Sequence, residues 1–259
     1  MKKMTDKRRT SMFRKIFYSL IAIAASIQLV FALTGKEIME KSEKLISAKT
    51  ARSTIHMTIY KGDEILKREM KVMGLKQGDS EKALIEFLSP VNMKILTFSE
   101  SGDDQQWLKQ KDMKVKKIVS GDRNKAVVNS HFFYEDLKPR NINDSTYTLA
   151  GNAMVESFDC HKVEASPKPG KSVYDRAVFY VRKSDNFIIQ TDIYYKGFLY
   201  KRLINYNIEK INGVLTPRKS IMYRLEKDGS NLGKTVLEIK EVVYNDPGIT
   251  ERDFNKNRL

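Results

Sequence analysis

A chain of 259 residues with 41% hydrophobic residues can bury a sizeable core, which excludes a disordered tail or a small stapled fold. Its one cysteine, Cys160, excludes an internal disulfide. A formal charge of +15 would point a cytosolic protein towards nucleic acid, but the N-terminus redirects that reading.

Seven bases (Lys2, Lys3, Lys7, Arg8, Arg9, Arg14, Lys15) precede the uncharged run "IFYSLIAIAASIQLVFA". Val30-Phe31-Ala32 then places small residues where a signal peptidase reads them. Residues 1–32 are therefore predicted to be a cleaved secretory signal peptide; the alternative is a retained anchor helix. The seven bases and Asp6 carry +6 of the +15, leaving about +9 for residues 33–259. In an exported chain that excess suits anionic lipid surfaces, acidic partners or solubility rather than nucleic acid.

Thr34-x-x-Glu37 reads as a capping box, opening a short helix to about Lys49 with Ile38, Leu45 and Ile46 on one face. From there the chain alternates with period two. Ile55, Met57 and Ile59 share one strand face, and Lys61-Gly62-Asp63 turns into "ILKREMKVM". "KALIEFLS" and "KILTFSE" flank Pro90, Trp107-Leu108 opens another strand, and "VKKIVS" follows the "KQKDMK" turn. After "SHFFYEDLKP" come seven further alternating segments from "TYTLAG" to "TVLEIKEVVY", with hairpin signals at Lys196-Gly197, Asn212-Gly213 and Asp228-Gly229. Helical signal recurs around residues 122–138, and Thr250 is placed to cap a last short turn.

The predicted fold is mainly β with short helices (α+β): one strongly curved antiparallel sheet of about eleven strands, an open half-barrel, in a single domain over 33–259. Its concave apolar face needs a cover of helices, a ligand or a partner.

The chemistry-bearing residues make no catalytic pattern. His56, His131 and His161 lie far apart, and adjacent Cys160 and His161 point to opposite faces of a strand, so no metal or cofactor is expected. No G-x-S-x-G elbow exists, and the acid pairs Asp103-Asp104 and Glu135-Asp136 read as solvated or capping carboxylates. A non-enzyme is expected. Eleven Met, twelve Phe and twelve Tyr remain, a set suited to a cavity that takes an acyl chain.

The ordered segments "IEFLSPVNMKILTF", "GDDQQWL", "VKKIVSGD", "FFYEDL", "DCHKVEASPK" and "GITERDF" together resemble the outer-membrane lipoprotein-sorting proteins, LolA-like periplasmic carriers, in the branch found beside exporter permeases of the resistance-nodulation-division type. The resemblance covers residues from about 35 to 259. It departs at Lys109-Gln110-Lys111, where the family has an aromatic-and-proline segment, and at Ile95, where the family often has glycine. It implies a half-closed barrel lidded by helices that carries lipoproteins or other lipids across the periplasm; a monomer is expected.

On that reading, Met57, Ile59, Phe87 and Trp107 are cavity or lid candidates from the early strands. Phe132, Phe133 and Tyr134 are candidates from the aromatic stretch, with Glu135 and Asp136 capping or pairing with bases at the rim. Phe179, Ile193, Tyr195, Leu203 and Tyr223 complete the set. Lys111, Lys114, Lys116 and Lys117 form a candidate partner surface for an inner-membrane transporter or exporter permease, or for transient membrane contact. The alternative function is a periplasmic sensor or accessory subunit that binds a permease or regulatory protein through the same fold.

Overall fold

Asn212 and Gly213 adopt φ of 47° and 87°, the pair of left-handed values that a two-residue hairpin of this hand requires. That turn joins β11 (Phe198–Ile211) to β12 (Val214–Leu225), and Lys196-Gly197 joins β10 (Ile188–Tyr195) to β11 in the same way. Such short connections force sequential strands to pair antiparallel. The computed structural model describes residues 33–45, 48–78, 80–100 and 103–259, and Thr34–Leu259 form one compact unit. The predicted signal peptide and Ile46 lie outside the described residues.

The first half of the meander is β1 (Thr50–Lys61), β2 (Glu64–Gln77), β3 (Ser80–Phe87), β4 (Met93–Glu100), β5 (Asp103–Gln110) and the two-residue β6 (Lys116–Lys117). The second half is β7 (Ser145–Val155), β8 (Phe158–Pro167), β9 (Arg176–Arg182), then β10 to β12 and β13 (Asn231–Tyr244). The spatial order β6-β5-β4-β3-β2-β1-β13-β12-β11-β10-β9-β8-β7 makes one thirteen-stranded sheet. The first and last strands pair across its middle, with Met57 opposite Leu237. The sheet is curved and unclosed, with β6 and β7 as its free edges, so the open half-barrel holds. The sheet has thirteen strands where about eleven were expected, the shortest being the two-residue β6, which pairs with β5.

The capping box forms as the sequence reads. The Glu37 N–H donates to Thr34 Oγ1 and the Thr34 N–H donates back to Glu37 Oε2 at 2.7 Å. The helix α1 (Gly35–Glu43) ends sooner than expected, since the chain must straighten to enter β1 at Thr50. Its buried stripe is Gly35, Ile38, Met39 and Ser42 rather than Ile38 and Leu45. A Cβ on Gly35 would stand 2.8 Å from the Thr148 carbonyl carbon, so glycine lets the helix sit directly on β7.

Two layers cover the sheet. On the concave side, Ile38 and Met39 of α1 pack on Val163, Phe179 and Val181. Beside them, the link from β6 to β7 carries Val127 and Phe132 into the main core with Ile59, Phe87 and Ile95. On the convex side the C-terminal residues Ile249 and Phe254 pack on Leu75, Leu84 and Leu96. Thr250 does open a last turn, its N–H and Oγ1 both donating to Asp253.

Candidate functional site

The link between the two free edges, residues 118–144, is the central feature. Instead of a helix over 122–138 it makes three short 3-10 turns, Ser120–Asp122, Tyr134–Leu137 and Ile142–Asp144. Between them the chain doubles back. Val127 N–H donates to Phe132 O, Tyr134 N–H to Lys125 O, and Glu135 N–H to Arg123 O. This satisfies the polar backbone of a segment that has left the sheet. Val128 and Asn129 take positive φ at the reversal.

Polar anchors hold this plug in the half-barrel. From β5, Gln106 Nε2 donates to the Tyr134 carbonyl at 2.9 Å. On β13, Thr235 Oγ1 accepts the His131 N–H at 3.0 Å and lies 2.8 Å from His131 Nδ1. From β11, Lys201 Nζ reaches Asp136 Oδ2 at 2.7 Å, with no exposed surface on the lysine side chain. Asp136 also accepts the Phe133 N–H at 2.7 Å and the Tyr174 hydroxyl at 2.5 Å, and Lys201 Nζ lies 3.3 Å from the centre of the Phe133 ring. Burial pushes the Lys201 ammonium down to about 8 while Asp136 opposes the shift. Burial and the Asp136 carboxylate together push the Tyr174 hydroxyl well above its ordinary value.

His131 gives the plug a pH dependence. Burial, then the charges of Lys61, Lys201 and Arg224, hold its imidazole down to about 4. An unfolded histidine titrates near ~6.5, so between those values the unfolded chain binds the extra proton. The stability that rests on neutral His131 is present above that window and is lost as pH falls through it. The loss from pH 7 to pH 5 is at most about 2 kcal/mol. Urea unfolding of wild type and His131→Asn at both pH values checks this, and equal pH losses in the two proteins would assign the acid sensitivity elsewhere.

A cavity of about 310 Å³ lies between the plug, β7–β12 and the loop that carries Tyr174. Its apolar wall includes Phe132, Phe179, Ile193, Leu203 and Met222, and its polar wall includes Glu135, Lys138, Arg140 and Asp144. Lys138 is nearly buried between Asp104 at 2.8 Å and Glu135 at 3.7 Å. Among the described residues no group of three or more His, Cys, Asp or Glu side chains could hold a metal ion. Cys160 is buried and burial pushes its thiol up, away from the reactive thiolate.

A family model described as "Uncharacterized protein" matches residues 79–259. A solved DUF1329 family protein from Desulfovibrio piger aligns with a TM-score of 0.80 and 26% identity, over 87% of this chain and 97% of its own. A putative outer membrane lipoprotein-sorting protein domain from Vibrio parahaemolyticus aligns at 0.79 and 24% identity, over 86% and 97%. A LolA superfamily protein from Nitrosomonas europaea aligns at 0.70 and 17% identity, over 88% and 100%. The chain belongs to the family that the matching model describes, and its fold is that of the LolA-like lipoprotein-sorting structures. No curated protein matches it by sequence.

Within this LolA-like half-barrel, most of the residues singled out from the sequence meet on the concave side. Met57, Ile59, Phe87, Phe132 and Ile193 share the main core, with Tyr134 and Leu203 packed against it. Phe179 lies under α1. Phe133 and Tyr195 join Tyr174 and Tyr200 in an aromatic group, with Phe133 stacked on Tyr174 at 6.2 Å. Two residues do not join them. Trp107 follows Gln106 on β5, so it points to the convex face, where it packs with the C-terminal residues under Lys256. Tyr223 alternates with core-facing Met222 on β12 and takes the opposite face, beside Tyr206. Asp136 and Glu135 are both paired with lysines, but inside the half-barrel rather than at its rim. Lys111, Lys114, Lys116 and Lys117 are all exposed, at the β5–β6 edge.

The sequence reading missed Lys201, Tyr174 and Lys138. For Lys201 a signal existed: on β11 it falls between Leu199 and Leu203, in the same-face register as the core-packed Leu203. A lysine on that face requires a buried carboxylate nearby.

Proposed function

We propose that the protein is a soluble periplasmic carrier that takes an acyl chain of a lipoprotein or other lipid into its concave cavity for transport or sorting towards the outer membrane. The observation that carries this reading is the cavity of about 310 Å³, walled by Phe132, Phe179, Ile193, Leu203 and Met222, inside an unclosed sheet. That volume lies at the low end of small-ligand sites. Each CH₂ removed from water is worth about 0.8 kcal/mol, so even part of a chain gains several kcal/mol there. Export through a cleaved signal peptide over residues 1–32, and the absence of catalysis, belong to the same reading.

Native mass spectrometry of the protein purified without detergent should show a lipid-sized adduct, and the stripped protein should take up a fluorescent fatty acid. A clean apo mass with no uptake would overturn the carrier reading. The β5–β6 hairpin supports the accessory reading as well. Its lysines flank Met113, 51% exposed, in the sequence and are followed by Val119, 57% exposed, a mixture suited to a partner or an anionic membrane surface.

A further inference from the structure

A second cavity, of about 410 Å³, lies where the end of β1 and the start of β13 meet the plug. Its wall is mostly apolar and includes Ala126, Phe133 and Leu232. Two cations line it, Lys61 and Arg224, and no carboxylate does. The acids of the adjoining turns, Asp63, Glu64, Glu226 and Asp228, are exposed and form no part of the wall.

Arg224 is fixed in place and only half used. Its Nη1 donates to the Tyr200 and Leu225 carbonyls, and its guanidinium lies 3.3 Å from the centre of the Tyr200 ring. Its Nε and Nη2 meet no acceptor among the described residues, and neither atom is sealed from solvent. That edge of a guanidinium takes two oxygens of a phosphate or carboxylate in parallel. Lys61, exposed at the end of β1, has no ion pair among the described residues either. Lys201, the cation against the Phe133 ring, differs, because Asp136 answers it at 2.7 Å. Burial first, then the charges of Lys61, Lys201 and Arg224, keep the adjoining His131 neutral at pH 7. Unpaired cations on an open surface are simply hydrated. These two border an apolar wall, which leaves room for an anion that carries hydrocarbon with it.

We propose that this second cavity binds the oxyanion head of an amphiphile, a phosphate ester or a carboxylate. The free Arg224 edge takes two of its oxygens, the Lys61 charge borders the same space, and the first methylenes lie on Ala126, Phe133 and Leu232. The site does not rest on the carrier reading. Phe133 lines this cavity and Phe132 the one proposed for an acyl chain, so either can fail alone.

The test uses the lipid-stripped protein, with affinities read by titration calorimetry below the micelle concentrations. Its probes are dodecyl phosphate, dodecyltrimethylammonium and inorganic phosphate. Dodecyl phosphate should bind about tenfold or more tightly than the cationic amphiphile, which has the same tail. It should also exceed inorganic phosphate about tenfold, since burying two methylenes suffices for that factor. Arg224→Gln should lower its affinity about tenfold, and Lys61→Gln should lower it measurably. Because Lys61 is exposed, the second variant keeps the test decisive if Arg224→Gln does not fold. Lys210→Gln, which removes one exposed charge at the far end of β11, should change nothing. An equal loss in that control would mean that the net charge of the chain attracts the anion, and would overturn the proposal. Equal binding of the two amphiphiles, or inorganic phosphate as tight as dodecyl phosphate, would overturn it too. Dodecyl phosphate that binds unaltered in the Arg224 and Lys61 variants has another site; that result sinks this proposal and leaves the carrier reading standing.

Discussion

Lys201→Met and Asp136→Asn should each lower the unfolding free energy by about 3–5 kcal/mol, whereas the double variant should lose far less than the sum. The single losses are large because each leaves the other group stranded. Without the lysine, the Asp136 carboxylate stays buried beside the Phe133 ring and the Tyr174 hydroxyl. Without the carboxylate charge, an ammonium with no exposed surface keeps only neutral oxygens, the Tyr174 hydroxyl at 3.0 Å among them, and the face of Phe133. Replacing both by near-isosteric groups removes the desolvation problem rather than half of its solution. Urea unfolding of the four proteins at pH 7 measures the coupling. Single losses below about 1 kcal/mol that simply add would show that the pair is solvated and does not fasten the plug.

Such a pair also marks where sequence reasoning stopped. The local features were legible because their causes are local: the Thr34 and Glu37 capping box needs four consecutive residues, and Asn212-Gly213 needs two. The run of antiparallel strands followed from them, and so did the unclosed sheet once the order of segments matched the LolA-like family. Which face each strand presents was harder. On β3 and β4 both faces are buried, with Leu84 next to Ile85 and Leu96 next to Ile95. The plug covers one side and the C-terminal residues the other, so alternation alone could not place Trp107. The partnership of Asp136 with Lys201 spans 65 residues and joins a connecting loop to a strand. No periodic pattern encodes a contact of that kind; only the lysine in an apolar register hints at it.

The aromatic stretch itself yields the second large effect. Phe132→Ala should cost about 3–5 kcal/mol, while Val119→Ala, in the same link, should fall within about 0.5 kcal/mol of wild type. The contrast follows from position: Phe132 is 6% exposed in the main core, and Val119 is 57% exposed. Phe132 also forms part of the cavity wall, so its loss enlarges the space in which the acyl chain is proposed to lie. Uptake of a fluorescent fatty acid by the folded fraction should therefore persist in Phe132→Ala and fall in Phe132→Asp, which puts a charge on that wall. A stability loss under about 1 kcal/mol for Phe132→Ala would mean that the sheet keeps its curvature without the plug's anchor. The structure argues otherwise, because this segment joins β6 to β7, the two edges that the sheet leaves open. A half-barrel without a closing strand pair must cover its inner face by other means, and here the covering segment sets a deeply packed ring, Phe132, four residues from an acid of a buried ion pair, Asp136.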